Sequence, residues 1–121
     1  ANQLGYLVVG SGNRSELTVG YCTKYGDAGV DLLPLGDLVK RDVRDLARHL
    51  GVPDVIIEKP PTAGLWDGQT DEAELGFTYE DLDAYILTGE AAPGLKERID
   101  AMKRACRHKS RTPPVFRVPD R

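Results

Sequence analysis

The stretch Tyr6-Leu7-Val8-Val9-Gly10-Ser11-Gly12-Asn13-Arg14 (residues 6–14) decides the fold class of this chain. Its first four residues are apolar, which predicts a short strand buried on both faces. Gly10-Ser11-Gly12 then forms a turn, and a helix is predicted from about Arg14. Such a turn serves only the backbone in most proteins. At the carboxyl end of a parallel strand, however, it is also where α/β proteins bind nucleotides.

A second apolar run, Val30 to Leu35, is continuous rather than alternating and predicts another strand of a parallel sheet with helices outside. The next helix is predicted to be capped by Asp37. Its apolar face, at spacings of four, three and four, consists of Val39, Val43, Leu46 and Leu50.

Two further helices are predicted in the second half of the chain. One begins at Thr78 with a capping-box-like Thr-Tyr-Glu-Asp, and Phe77 is expected to pack against Leu82 as a hydrophobic staple. Its buried stripe is predicted to be Tyr79, Leu82 and Ile86. The other spans residues 95–106, with an apolar face made by Leu95, Ile99, Met102 and Cys106. This order indicates an α/β fold, and two strands are too few for a stable sheet, so we expect an upstream segment to supply the others.

The composition fits one ordinary globular unit, with 121 residues, 40% hydrophobic and 29% charged. The net charge of -3 gives no basic field for nucleic acid, so no nucleic-acid partner is expected. A short basic cluster near the end is either a solvated tail or a small anion site. Its members are Lys103, Arg104, Arg107, His108, Lys109 and Arg111.

The two cysteines, Cys22 and Cys106, are far apart in sequence and have no partner at metal-ligand spacing, which favours reduced thiols in the cytoplasm. No apolar run approaches the roughly 20 residues that span a bilayer, so no membrane partner is expected.

Residues 59–72, Lys-Pro-Pro-Thr-Ala-Gly-Leu-Trp-Asp-Gly-Gln-Thr-Asp-Glu, lack helix or strand periodicity and lie within the longest stretch predicted to be irregular, 58–77. The prolines and glycines indicate a loop of defined shape. It is either a surface turn packed by Trp66 or part of a site. The acids of the irregular stretch include Asp67, Asp71, Glu72 and Glu74. Their spacing does not identify any two of them as a catalytic pair.

Three blocks, at residues 8–16, 23–27 and 59–72, resemble ammonia-dependent NAD synthetases in the same order. The resemblance runs from Ala1 to about Pro114. It implies that residues 1–121 are the C-terminal portion of a single NAD synthetase domain with the Rossmann-like adenine-nucleotide alpha hydrolase (ATP pyrophosphatase) fold. The family's Ser-Gly-Gly-x-Asp-Ser pyrophosphate loop is not in the sequence, so we expect that a preceding segment carries it.

The resemblance also implies an activity. Enzymes of this family use ATP to convert deamido-NAD into an acyl-adenylate, and ammonia then displaces AMP to give NAD. The implied cofactor is Mg²⁺, with ATP as co-substrate, and the implied assembly is a homodimer.

Site residues follow from the same resemblance. Ser11, Lys40 and Thr62 match ATP contacts, with Lys40 also stabilising charge on the departing pyrophosphate, and Glu16 matches the magnesium ligand. The deamido-NAD contacts match Lys24, Asp31, His108 and Lys109. Each has a plainer interpretation as well: a solvated lysine, an acid favoured near a helix N-terminus, or a polar turn.

Two alternatives remain open at this point. In the first alternative, the chain is part of another amide ligase of the ATP-pyrophosphatase type, such as a GMP or asparagine synthetase; the loop at residues 59–72 argues against this. In the second, it is a non-catalytic remnant, a module that dimerises or binds a nucleotide without turnover.

Overall fold

The computed structural model describes residues 1–119; Asp120 and Arg121, the end of the predicted domain, lie outside this range. The described residues form six α-helices and a closing 3₁₀ helix. They are α1 (Arg14–Val19), α2 (Lys40–His49), α3 (Asp54–Ile57), α4 (Asp71–Leu75), α5 (Tyr79–Thr88), α6 (Pro93–Cys106) and the 3₁₀ helix (Arg107–Ser110). Within this range, no helix is long and apolar enough to cross a membrane.

The core lies where α1, α4, α5 and α6 meet, and α5 also contacts α2. Its buried members are Val19, Leu75, Phe77, Tyr79, Leu82, Tyr85 and Ile99. Phe77 and Leu82 lie in this one cluster, as the predicted staple requires. Tyr79 and Leu82 are buried as predicted, and Ile86 packs against the cluster while partly buried.

Three helices begin close to where the sequence predicts. At α1, a capping box joins Asn13 and Glu16, each side chain accepting from the other residue's backbone N–H at 3.0 Å. At α5, the Thr78 hydroxyl accepts from the Asp81 N–H at 3.1 Å. Helix α6 begins at Pro93, two residues earlier than predicted, because a proline in the first turn gives up only an N–H that has no partner within the helix.

The predicted cap of α2 is wrong. Asp37 is exposed and lies 3.6 Å from Arg14, whereas the helix begins at Lys40 without a cap from its own sequence. Its first N–H groups donate instead to Ser15 and Asp83, which belong to α1 and α5. The predicted apolar face is also only partly buried: Val39 is fully buried, but Leu50 is 69% exposed.

The two predicted strands are also wrong. In the part of the chain that the structure describes, they reduce to one bridge between Val9 and Leu32, which is parallel as expected. The Gly10 N–H donates to the Leu32 carbonyl at 2.9 Å, and the Asp31 N–H donates to Val8 at 2.9 Å. Val9 is 61% exposed. A single pair of segments cannot form a stable sheet, so the pairing does not extend.

Residues 71–75, predicted to be irregular, form α4. Thr70 accepts from the Ala73 N–H at 3.3 Å, and Gly76 ends the helix at a φ of 74°. Both end signals are present in the sequence, but five residues are too few to show a periodic pattern.

Candidate functional site

Two adjoining clefts lie beside the first turn of α1. The first has a volume of about 670 Å³ and the second about 380 Å³. Glu16, Thr62 and Asp71 line both, so these three residues form the wall that the clefts share. The second cleft combines three cations, Lys40, Arg44 and Lys59, with an apolar surface from α2 and α3.

Lys40 and Glu16 form an ion pair at this shared wall. The Lys40 Nζ donates to Glu16 Oε1 at 2.8 Å, and the two side chains are only 19% and 18% exposed. The same Nζ lies 4.8 Å from the centroid of the Tyr79 ring, a position in which the ring face attracts a cation. Three groups therefore hold one positive charge at a defined place: a carboxylate, an aromatic face and the helix that carries Lys40.

Asp71 is the buried carboxylate of the shared wall. Its Oδ2 accepts from the Tyr79 hydroxyl at 2.9 Å, and its backbone N–H donates to the Pro61 carbonyl at 2.9 Å. Its Oδ1 is buried and has no hydrogen-bond partner among residues 1–119. Burial, followed by the hydrogen bond to Asp71, raises the pKa of Tyr79, so this phenol remains a donor. Buried acceptors are generally satisfied, so this oxygen is free to accept from a bound water or ligand.

Tyr21, Gln69 and Glu74 make up a second wall of the first cleft. The Tyr21 hydroxyl donates to Glu74 Oε2, which also accepts from Gln69 Nε2 at 3.0 Å. The Gln69 Oε1 accepts from the Leu65 N–H at 2.7 Å, so the network ties the loop to α4. Burial, then the bond to Glu74, raises the pKa of Tyr21; the bond from Tyr21, then that from Gln69, lowers the pKa of Glu74.

Lys109 closes the far side of the first cleft. Its Nζ donates to the carbonyls of Gly20 and Cys22, at 2.6 Å in both cases. Burial raises the pKa of the Cys22 thiol, although the charge of Lys109 acts in the opposite direction. The thiol therefore stays protonated and is a poor nucleophile.

The structure brings five of the eight predicted site residues together. Ser11, Glu16, Thr62 and Lys109 line the first cleft, and Lys40 lines the second with Glu16 and Thr62.

The other three predicted residues line neither cleft. Asp31 is exposed, and its Oδ2 accepts from the Val8 N–H at 2.8 Å. The Lys24 Nζ lies 5.2 Å from the ring centroid of Tyr25. His108 is exposed on the 3₁₀ helix. The structure thus separates the group assigned to ATP from most of the group assigned to the dinucleotide.

Sequence reasoning missed Asp71 and Tyr79 as site residues. Asp71 is one of four acids in a short segment, and only its burial and its bond to Tyr79 distinguish it from its neighbours. The periodicity of α5 identifies Tyr79 as buried, but it does not show that the hydroxyl reaches a cleft wall.

Glu16 is compatible with a bound divalent cation. Among the described residues, no group of three or more His, Cys, Asp or Glu side chains is arranged to hold a metal ion by itself. Mg²⁺, however, is commonly held by one or two carboxylates together with phosphate oxygens and water. The Glu16 carboxylate suits that role because it lines both clefts, while Oε1 accepts from Lys40 and Oε2 accepts from the Asn13 N–H.

Solved structures of synthetases share this fold. NMN synthetase from Francisella tularensis superposes with a TM-score of 0.91 at 38% identity, covering 98% of this chain and 50% of that one. NH3-dependent NAD synthetase from Campylobacter jejuni, in complex with a nitrate ion, gives a TM-score of 0.67 at 27% identity, covering 96% and 47%.

The NAD synthase family model matches residues 1–113, and this chain belongs to that family. The NH(3)-dependent NAD(+) synthetase of Syntrophomonas wolfei is 55% identical over 98% of this chain and 48% of its own length. That of Carboxydothermus hydrogenoformans is 56% identical over 95% and 47%. The chain spans about half the length of the curated relatives it matches.

Proposed function

We propose that the protein containing this chain amidates deamido-NAD with ammonia, converting ATP into AMP and pyrophosphate. The observation that carries this proposal is the Lys40–Glu16 pair on the shared wall of two clefts, in a chain of the NAD synthase family. Since the chain spans about half the length of its relatives, the proposal includes a further segment that completes the phosphate site.

In the first step, a carboxylate oxygen of the nicotinate attacks the α-phosphorus of ATP. A phosphorus–oxygen bond forms, and the bond to pyrophosphate breaks. Lys40 stabilises the charge that grows on the departing oxygens, an electrostatic contribution that is often the largest in such reactions. Ser11 and Thr62 orient ATP from the cleft walls, and Glu16 holds Mg²⁺. When bound, Mg²⁺ supplies further positive charge to the phosphate oxygens.

In the second step, ammonia attacks the acyl carbon. The new carbon–nitrogen bond forms, the bond to AMP breaks, and the nitrogen gives one proton to solvent. We assign Asp71 as the acceptor for an N–H of the incoming ammonia, since this residue lines both clefts and its buried Oδ1 lacks a partner among residues 1–119. The donor bond from Tyr79 holds the carboxylate in place.

We assign Lys24, Asp31, His108 and Lys109 to deamido-NAD. Lys109 lies in the first cleft, and the other three lie outside both clefts, so one ligand reaches all four only by extending across the surface. A homodimer with the dinucleotide at its interface gives such a ligand a second wall, and we include it in the proposal.

The proposal extends to architecture and location. The parallel bridge between Val9 and Leu32 supports a place for residues 1–121 in one domain with a parallel sheet of the Rossmann-like ATP-pyrophosphatase type. Cys22 and Cys106 are both free thiols, which supports the cytoplasm as location.

A second candidate substrate is nicotinate mononucleotide. The NMN synthetase of Francisella tularensis superposes with a higher TM-score, 0.91, than the NAD synthetase of Campylobacter jejuni, 0.67. The amidation chemistry is the same for both substrates, so the choice depends on whether an adenylate half of the substrate is bound.

The experiment supplies ATP, Mg²⁺ and ammonium with either deamido-NAD or nicotinate mononucleotide and measures AMP and amide product. It uses this chain alone and this chain joined to the first half of the Syntrophomonas wolfei relative. We expect turnover only in the joined protein, with deamido-NAD preferred. Preference for the mononucleotide supports the second candidate, and a properly folded but inactive joined protein supports the non-catalytic module.

A further inference from the structure

We propose that Asp83 and Ser15 are positioning residues that set the place of Lys40. The inference rests on the proposed function, in which Lys40 stabilises the departing pyrophosphate. Neither residue lines a cleft, so we expect both to act on the reaction through Lys40.

The connection is a chain of hydrogen bonds. Asp83, on α5, is 4% exposed, and Ser15, on α1, is fully buried. The Ser15 hydroxyl donates to Asp83 Oδ1 at 2.5 Å and accepts from the Lys40 N–H at 3.0 Å. The Asp83 Oδ2 accepts from the N–H of Arg41 at 2.8 Å. One buried carboxylate thus fixes the first two residues of α2.

The charge of Asp83 has a physical reason to remain at this place. Burying a carboxylate is costly unless hydrogen bonds compensate for its lost hydration, and no Lys, Arg or His of residues 1–119 forms an ion pair with it. Its compensation comes from the Ser15 hydroxyl and from the N-terminus of α2, where the helix dipole favours negative charge. Moving α2 would therefore leave a buried charge poorly compensated.

Lys40 is held at both ends by neighbouring residues of α1. Its backbone N–H donates to Ser15, and its Nζ donates to Glu16. A shift of the helix start would move the ammonium relative to Glu16 and to the ring of Tyr79. Since misplacement of a reacting group by about 1 Å can cost roughly 100-fold in rate, the network bears directly on the reaction.

The first test measures the position of Lys40 without requiring activity. In the full-length protein, the protons beside the Lys40 Nζ lie near the Tyr79 ring face, and their NMR signals are expected to show an upfield ring-current shift. Asp83→Asn and Ser15→Ala should each reduce that shift.

The control for both tests is Tyr85→Phe. It removes a comparable 2.5 Å bond from the same helix, to Asp100, and should leave the Lys40 signal unchanged. An unchanged Lys40 signal in folded Asp83→Asn and Ser15→Ala overturns the proposal.

The second test is a double-mutant cycle on turnover. We expect Asp83→Asn to lower kcat by roughly 10- to 100-fold, with a smaller change in KM, and Ser15→Thr to retain more activity than Ser15→Ala. In a Lys40→Met background, Asp83→Asn should have almost no further effect, because Lys40 is its route of action.

Equal losses in the presence and absence of Lys40 contradict the positioning role. If the unsubstituted protein does not turn over either substrate, the proposed function fails, and the NMR test decides the positioning of Lys40 by itself.

Discussion

The packed region where α1, α2, α5 and α6 meet differs from the open segments 1–12 and 21–36. In the packed region, Ser15, Asp83 and Val39 are buried and the polar atoms have partners in other helices. In the open segments, Asp31 is exposed and its carboxylate bonds to a neighbouring backbone. Glu16 and Lys40 lie in the first region, on α1 and α2, whereas Ser11, Lys24 and Asp31 lie in the second. The comparison shows that this chain by itself fixes the Lys40–Glu16 pair, whereas Asp31 of the open segments bonds only to a neighbouring backbone N–H.

The strongest test of this contrast compares two lysines. Lys40→Met should lower kcat of the full-length enzyme by roughly 100- to 1,000-fold, as when a fixed donor to a transition state is removed. Lys24→Met should raise KM for the dinucleotide by no more than about tenfold with kcat nearly kept, because Lys24 lines neither cleft and a partly exposed charge contributes little. Steady-state kinetics at saturating ATP measures both. A larger loss at Lys24 would reverse the assignment of the two regions.

Two glycines test the packing itself. Gly20 has a φ of +69°, and a Cβ there would lie 2.1 Å from the Cβ of Cys106, whereas Gly64, at +67°, faces open space. Gly20→Ala should lower the free energy of unfolding by about 3–5 kcal/mol, since left-handed strain and overpacking add together. Gly64→Ala should cost about 1 kcal/mol, from strain alone. Urea unfolding measures both, and equal losses would show that the α1–α6 contact is not tightly packed.

Two aspartates compare a buried acceptor with an exposed one. Asp83→Ala leaves the Ser15 hydroxyl and the Arg41 N–H without their acceptor and should lower the free energy of unfolding by about 2–3 kcal/mol. Asp31→Ala frees only the Val8 N–H, which water can solvate, and should cost about 0.5–1 kcal/mol. Thermal unfolding at one pH compares the two variants. If their losses of stability do not differ measurably, the hydrogen bonds of Asp83 are not buried as described.

The smallest expected effect concerns pH. Hydrogen bonds from Tyr21 and then Gln69 lower the pKa of Glu74 in the folded protein. The folded state thus binds the proton more weakly than the unfolded state does. The resulting stabilisation is present above the ordinary glutamate pKa of about 4.3, and it is lost as the pH falls through the lowered value.

Glu74→Gln should therefore reduce the loss of unfolding free energy as the pH falls from about 5 to about 3. Urea unfolding midpoints of the wild type and the variant across that pH range measure this dependence. Glu97→Gln is the matched control, because Glu97 is likewise an exposed glutamate on a helix but lies outside the network of Tyr21 and Gln69. If the two variants lose stability equally as the pH falls, the hydrogen bonds from Tyr21 and Gln69 do not favour the charged form of the Glu74 carboxylate.

Local signals predicted those helices whose end groups lie in their own sequence. Asn13 and Thr78 cap α1 and α5 from adjacent positions, and the four-three-four spacing located α6. The same signals predicted α2 but failed at its start, where the N–H groups bond to Ser15 and Asp83, 25 and 42 residues away. They failed also at the strands, because a strand depends on neighbours that a single segment does not contain.

Sequence alone determined the family, four of the six α-helices (α1, α2, α5 and α6) and eight candidate site residues, because capping, periodicity and motif order are local properties of the chain. Tertiary structure decided that Lys40 pairs with Glu16, that Asp71 alone among the nearby acids is buried with an unpartnered oxygen, and that Asp83 holds the start of α2. The physical reason is that burial and charge pairing are fixed only when distant segments meet and exclude water.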